Sequence, residues 1–180
     1  MITTVLLISE DFIKTNSTLN DNAFGKTLRP AIVEAQDIGL QMIVGECLYK
    51  KILDLVKTND IQKEENVMYK DLLDNYVQPF LLYSVLSNCV LTLNSKIGNI
   101  GTVITKDEYV VNLTQGEMDL LKTEFTHKAD FYTKRMQQFL LNNKSAFPEI
   151  EQCSCVCYSV KPNLKSSSSC NVWLGGFVGK

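Results

Sequence analysis

Histidine is almost absent from this 180-residue chain, and no pair of carboxylates stands out as a catalytic acid and base in its place. His127 stands alone in a helical stretch, so no histidine-based triad can be assembled, and we expect it at or near the surface. The carboxylates of Asp71 and Asp74, and those of Asp119 and Glu124, have spacings that any solvated helix face shows. The sequence therefore predicts no enzyme, no catalytic residue and no cofactor.

Arginine and long apolar runs are also scarce. Arg29 and Arg135 are the only arginines, and 18 basic against 20 acidic residues leave a net charge of −2. Proteins that read nucleic acids favour arginine forks on a basic face, so this class is excluded. The apolar run Val5–Ile8 has no basic residue before it and is too short for a signal peptide or a membrane span, which predicts a cytosolic product. Gly98 and Gly101 lack the lysine of a phosphate loop and are expected in turns.

The six cysteines fall into two groups. Cys47 and Cys89 lie in apolar helical patterns, so we expect both to be buried thiols. The other four lie near the end of the chain and are Cys153, Cys155, Cys157 and Cys170. In an extended segment a spacing of two places three sulfurs on one face, where they cannot readily close a zinc tetrahedron. We expect thiols here, while a metal site on these four residues and disulfides remain alternatives.

Helical periodicity covers most of the remaining chain. The expected helices run over about 27–44, 46–56, 64–94 and 114–142. Pro79 should interrupt the third near Gln78, because proline lacks the backbone donor of a helix interior. Thr114 and Glu117 form a capping box that opens the fourth. Its expected core positions are Leu120, Leu121, Phe125, Phe131, Tyr132, Met136, Phe139 and Leu140.

Two glycines interrupt an otherwise good helical pattern between residues 34 and 53. Gly45 is expected to turn the chain from one helix into the next, with a positive φ. Gly39 is expected to allow the close approach of a neighbouring helix. Alternatively, either could be a plain turn glycine.

The fold class predicted from these elements is mainly α, a small helical bundle with an inserted β-hairpin and an extended C-terminal tail. Residues 1–26 are expected to form a mobile N-terminal arm, 27–145 the helical body and 146–180 the tail. The hairpin is placed at 96–112, where two glycines precede Val103, Tyr109 and Val111, with Asp107 and Glu108 between the two strands.

Four segments in succession carry a resemblance to a known group of proteins. They are Ala35–Ile52, Val77–Tyr83, Lys96–Gly101 and His127–Leu140. In order and spacing they resemble the small head–tail adaptor, or connector, proteins of tailed bacteriophages. Within that group the chain is most similar to the adaptors of phages of Bacteroides, including crAss-like phages.

The resemblance implies a structural virion protein that forms a ring, by analogy a dodecamer, in the phage neck. Such a ring would connect the portal protein to the next tail or neck component and would contribute to the channel through which DNA passes without sequence-specific binding. It implies assembly in the host cytoplasm, a final location in the virion, and no membrane partner. Identical subunits in a ring must meet through two different faces.

Two other classes of function remain open on the sequence. One is a metal- or thiol-dependent module built on the four C-terminal cysteines, which would retain zinc or iron after purification. The other is a helical regulator that binds a partner protein, which would form a stable dimer and no ring.

Overall fold

We describe a computed structural model of the chain over residues 5–17, 25–98, 101–104, 114–152 and 162. The fold is mainly α-helical, as predicted. The α-helices are α1 (Glu10–Thr15), α2 (Gly25–Glu34), α3 (Gln41–Val44), α4 (Glu46–Lys57), α5 (Val67–Leu72), α6 (Gln78–Asn94), α7 (Gln115–Asn142) and α8 (Glu149–Gln152). Short 3₁₀ turns cover Asp60–Gln62, Glu64–Asn66 and Lys144–Ala146.

Two π-helical segments join α-helices without a break in the chain's winding direction. Ala35–Leu40 joins α2 to α3, and Leu73–Val77 joins α5 to α6. The second segment ends two residues before Pro79, and the N–H of the intervening Gln78 donates to the Leu73 carbonyl, five residues back. The interruption predicted near Gln78 is therefore present, as a change of winding that accommodates a residue without a backbone donor.

Both glycine predictions are confirmed. Gly45 separates α3 from α4 and has φ 83°. Residues with a Cβ rarely adopt this backbone conformation. A Cβ on Gly39 would lie 3.3 Å from Cζ of Phe80, so the absence of a side chain lets the first π-helical segment approach α6 closely.

The core centres on α6, which packs against α7 and α2. Its buried apolar side chains come from several sides of the helix and are Phe80, Leu81, Leu82, Val85, Leu86, Cys89 and Val90. An α-helix that is apolar on every side is stable only when other elements surround it. This helix therefore forms the centre of the body.

The helix α7 begins with the predicted capping box, in which Thr114 and Glu117 satisfy each other's backbone N–H groups. Its buried side chains are Met118, Ala129, Met136 and Leu140. The prediction that Leu120 and Phe131 are core positions is wrong, since they are 73% and 57% exposed. At 3.6 residues per turn, Phe131 lies about 200° around the helix from buried Ala129.

Residues 5–17 pack on the core, so the mobile arm expected over 1–26 is wrong for this part. Leu7, Ile8 and Ile13 are buried. The side chain of Gln36, 0% exposed, accepts the Leu7 N–H at 2.7 Å and donates to the Val5 carbonyl at 3.1 Å. This buried amide provides hydrogen-bond partners for backbone groups that would otherwise be left unpaired.

The helical body also continues into residues 146–152, which the sequence predicts to be part of the tail. Phe147 is fully buried and packs edge-on against Tyr69, with ring centroids 5.2 Å apart. The Tyr69 hydroxyl donates to the Glu149 carboxylate at 2.9 Å. The pKa of Tyr69 is raised, mainly because the side chain is buried and secondly because of this hydrogen bond. The rest of the predicted tail, apart from residue 162, lies outside the described residues.

The hairpin predicted over 96–112 is not supported in that form. The described pairing joins only β1 (Ser95–Gly98) to β2 (Gly101–Ile104), antiparallel, with Ser95 opposite Ile104 and Gly98 opposite Gly101. The two paired strands are therefore separated by two residues, whereas the prediction placed Asp107 and Glu108 between its strands. Residues 105–113, where the second predicted strand falls, lie outside the described residues.

Candidate interaction surface

An aromatic seam joins α6 and its preceding π-helical segment to α7. Tyr76 stacks on Phe139 with ring centroids 4.4 Å apart, and Tyr83 stacks on Tyr132 at 5.8 Å. In each helix the two partners are seven residues apart, which places them on one side about two turns apart. The two segments therefore run antiparallel along this seam.

Arg135 lies against three of the rings on this surface. Its guanidinium carbon is 5.4 Å from the Tyr76 centroid, 5.6 Å from that of Tyr132 and 5.8 Å from that of Phe131. Within the part of the chain that the structure describes, no carboxylate forms an ion pair with this arginine. The ring faces hold the cation by cation–π attraction and leave its charge available.

Lys128 lies one heptad before Arg135 and makes the same kind of contact. Its Nζ is 5.6 Å from the Tyr83 centroid and 5.7 Å from that of Phe125. It also donates to Glu124 at 2.5 Å, and this hydrogen bond is the main reason that the pKa of Lys128 is raised. Its charge is therefore partly compensated, unlike that of Arg135.

Three shallow depressions follow these rings along the surface. The largest, about 430 Å³, is lined by Tyr83, Glu124, His127, Lys128, Phe131 and Tyr132. The second depression lies between the end of α1 and the side chains of Tyr83 and Lys128. The third is lined by Tyr76 and Arg135 together with neighbouring residues of α7. We name the whole surface the aromatic groove, formed by Tyr76, Tyr83, Phe125, Lys128, Phe131, Tyr132, Arg135 and Phe139.

A second surface lies on the helix that contains the first π-helical segment. Ile38 and Met42 are one turn apart and are 59% and 60% exposed. The exposed carboxylates of Glu34 and Asp37 lie beside them, and we name these four residues the acidic stripe. Asp37 accepts a 2.5 Å hydrogen bond from Tyr49, and burial followed by this bond raises the pKa of Tyr49.

Comparison with known proteins identifies a family but no function. Residues 40–160 match the model described as "Family of unknown function (DUF6712)". The chain belongs to this family. No curated protein and no solved structure matches it. The family match includes the whole aromatic groove and, of the acidic stripe, only Met42.

The DUF6712 chain shows the solvated charges that its sequence predicts. His127 is exposed. Asp74 pairs with Lys70 at 2.5 Å, and Asp71 accepts a hydrogen bond from Asn75 at 2.6 Å. Among the described helices, none combines the length and apolar character that crossing a membrane requires.

The cysteine predictions have different outcomes. Cys89 is buried, as predicted. Cys47 is half-buried and disulfide-bonded, so the prediction of a buried thiol is wrong there, and its partner lies outside the described residues. The four candidate metal ligands Cys153, Cys155, Cys157 and Cys170 also lie outside them. Among the described residues, no cluster of histidine, cysteine or carboxylate side chains could hold a metal ion.

The aromatic groove was not predicted from the sequence, although a signal for it exists. Phe125, Tyr132 and Phe139 recur every seven residues, as do Tyr76 and Tyr83, and Lys128 and Arg135. The sequence predicts core positions for the aromatic residues of α7, because periodicity alone does not distinguish a buried stripe from one at the edge of a helix pair.

Proposed function

We propose that this DUF6712 protein is a structural component of a phage virion, a head–tail adaptor that forms a ring in the neck. The observation that carries the proposal is the presence of large exposed apolar side chains on separate elements of one helical body. Ile38 and Met42 lie on one helix and Leu120 and Phe131 on another. Apolar surface on more than one element is what a subunit needs to contact two neighbours at once.

The adaptor would bind the portal protein above it and a tail or neck protein below it. In the proposal, the segment around β1 and β2 and the chain after Gln152 make these contacts to unlike proteins. A short strand pair is suited to this role, because an exposed strand can extend the sheet of a partner.

The proposed ring surrounds the path of the genome without reading it. A net charge of −2 gives the chain no strong overall attraction to DNA, which suits a channel that must release what passes through it.

The disulfide at Cys47 is compatible with a protein that ends in a released particle. Disulfides persist on virion surfaces and in other oxidising environments, whereas the cytosol keeps thiols reduced. A subunit made in the host cytoplasm would therefore form this bond late, in the particle or after lysis.

Quantitative mass spectrometry of purified virions tests the proposal. The chain should be present at a fixed ratio to the portal protein, and electron cryomicroscopy of the neck should show a ring into which the described helices fit. Absence of the chain from mature particles, or density at another position, would contradict the adaptor function.

A further inference from the structure

We propose that the acidic stripe of one copy docks on the aromatic groove of a second copy. The contact would bring Glu34 and Asp37 of the first copy to Arg135 and Lys128 of the second, and would cover Ile38, Met42 and Phe131. This inference deepens the proposed function by naming the contact between subunits, and depends on that function only for the closure of such contacts into a ring.

The groove supplies an exposed cation beside an exposed ring. Phe131 is more than half exposed, although it is among the largest apolar side chains of α7. Arg135 lies beside it, over three ring faces, and pairs with no carboxylate of the described residues. An arginine preorganised on aromatic rings is a common centre of protein interfaces, because its planar guanidinium can bind a carboxylate and stack simultaneously.

The stripe supplies the complementary groups. Glu34 forms no ion pair with a described cation, and Asp37 accepts only the Tyr49 hydroxyl there. Met42 is flexible and polarisable and can fit against an aromatic ring, where sulfur contacts are favourable. Each surface thus has apolar side chains next to charges. The stripe carries carboxylates, and the groove carries Arg135 together with Lys128, whose charge Glu124 partly compensates.

The charged groups of the two surfaces are spaced differently along their helices. Lys128 and Arg135 are seven residues apart, about 10 Å along an α-helix, whereas Glu34 and Asp37 are three residues apart. Because lysine, arginine and glutamate side chains are long, a helix that crosses α7 between the two cations can bring a carboxylate to each.

The aromatic and apolar content of the groove favours a protein occupant over a nucleic acid. A phosphate backbone would engage Arg135 but would leave Phe131 exposed, since most contacts to DNA go to phosphate and sugar. The acidic stripe offers carboxylates and apolar side chains at one helix spacing. We therefore assign a second copy as the occupant.

A charge swap in the full-length chain tests the contact. Arg135→Glu and Glu34→Arg should each weaken self-association at least about tenfold, because each places like charges together at the interface. The double variant, with Glu34→Arg and Arg135→Glu in one chain, should restore most of the loss. Sedimentation velocity over a concentration series measures the association, and circular dichroism checks that each variant is folded.

Matched controls separate this contact from a general effect of charge. Lys134→Glu makes the same change of sign on the adjacent, exposed residue of α7, and Glu65→Arg does so at an exposed residue outside the stripe. Both should leave association within about twofold of the unmodified chain, since isolated surface charges contribute little. If the controls weaken association as much as Arg135→Glu does, the proposed contact is wrong.

Failure of the contact and failure of the adaptor function give different results. A ring that forms in virions but is insensitive to both single variants would overturn the contact and leave the function standing. Rescue by the charge swap in a closed dimer would support the contact and contradict a ring. A chain that remains monomeric at every concentration would overturn the contact.

Discussion

The helices α6 and α7 lie side by side but have different roles. Most apolar side chains of α6 are buried along its length, from Phe80 through Leu86 to Val90. The longer helix α7 buries a narrow stripe and leaves Leu120 and Phe131 in solvent. Burial therefore makes α6 the main source of the body's stability, whereas the outer side of α7 is available for contacts with other molecules.

Removing a buried side chain from α6 should lower the free energy of unfolding more than the other changes proposed below. Leu81 is fully buried, so Leu81→Ala should lower the free energy of unfolding by about 2–5 kcal/mol, through lost apolar burial and the remaining cavity. Denaturant unfolding measures this. A loss below about 1 kcal/mol would mean that α6 is not the centre of the body.

A smaller effect is expected at the start of α7. Thr114→Ala removes the hydroxyl that accepts the Glu117 N–H and should cost about 0.5–2 kcal/mol, the usual range for loss of an N-cap. Thr114→Ser retains the hydroxyl and serves as the control. Equal unfolding midpoints for the two variants would contradict a stabilising role for the capping box.

The same box predicts a dependence on pH. Hydrogen bonds from the Thr114 backbone N–H and, to a smaller extent, from its hydroxyl lower the pKa of Glu117 in the folded chain. The stability that the ionised Glu117 contributes is therefore fully present above its pKa in the unfolded chain, and it is lost as the pH falls through its pKa in the folded chain. Glu117→Gln should therefore be less stable than the unmodified chain at neutral pH and should converge with it at acid pH. A difference that is constant with pH would show that the charge makes no contribution.

The smallest effect on stability is expected at Phe131. Because the ring is exposed, Phe131→Ala should change the free energy of unfolding by no more than about 0.5 kcal/mol, while it weakens association between copies. Val67→Ala, at another exposed apolar residue that lies outside both surfaces, is the control and should leave association between copies unchanged. A loss of 3 kcal/mol or more at Phe131 would place this residue in the core, as the apolar period of the sequence predicts.

The sequence predicted the helices well, because their signals are local. Thr114 and Glu117 form the capping box, Gly45 has a positive φ, and Gly39 permits the close contact with Phe80. Each of these depends on a side chain's own chemistry or on its absence.

The features that the sequence did not predict depend on tertiary contacts. Leu120 and Phe131 fit an apolar period, but among the described residues no neighbouring element covers their side of α7. Gln36 and Phe147 are buried because distant segments pack around them. The aromatic groove has a similar origin, since its rings meet only when α6 and α7 pack antiparallel.

Cross-linking between copies tests the account most directly. A mixture of unlabelled and nitrogen-15-labelled chain is treated with a zero-length carbodiimide, which joins a carboxylate to a lysine in contact with it. Peptides of mixed isotope composition should join Glu34 or Asp37 to Lys128. Links at these positions only within one isotope, or links between copies only elsewhere, would contradict it.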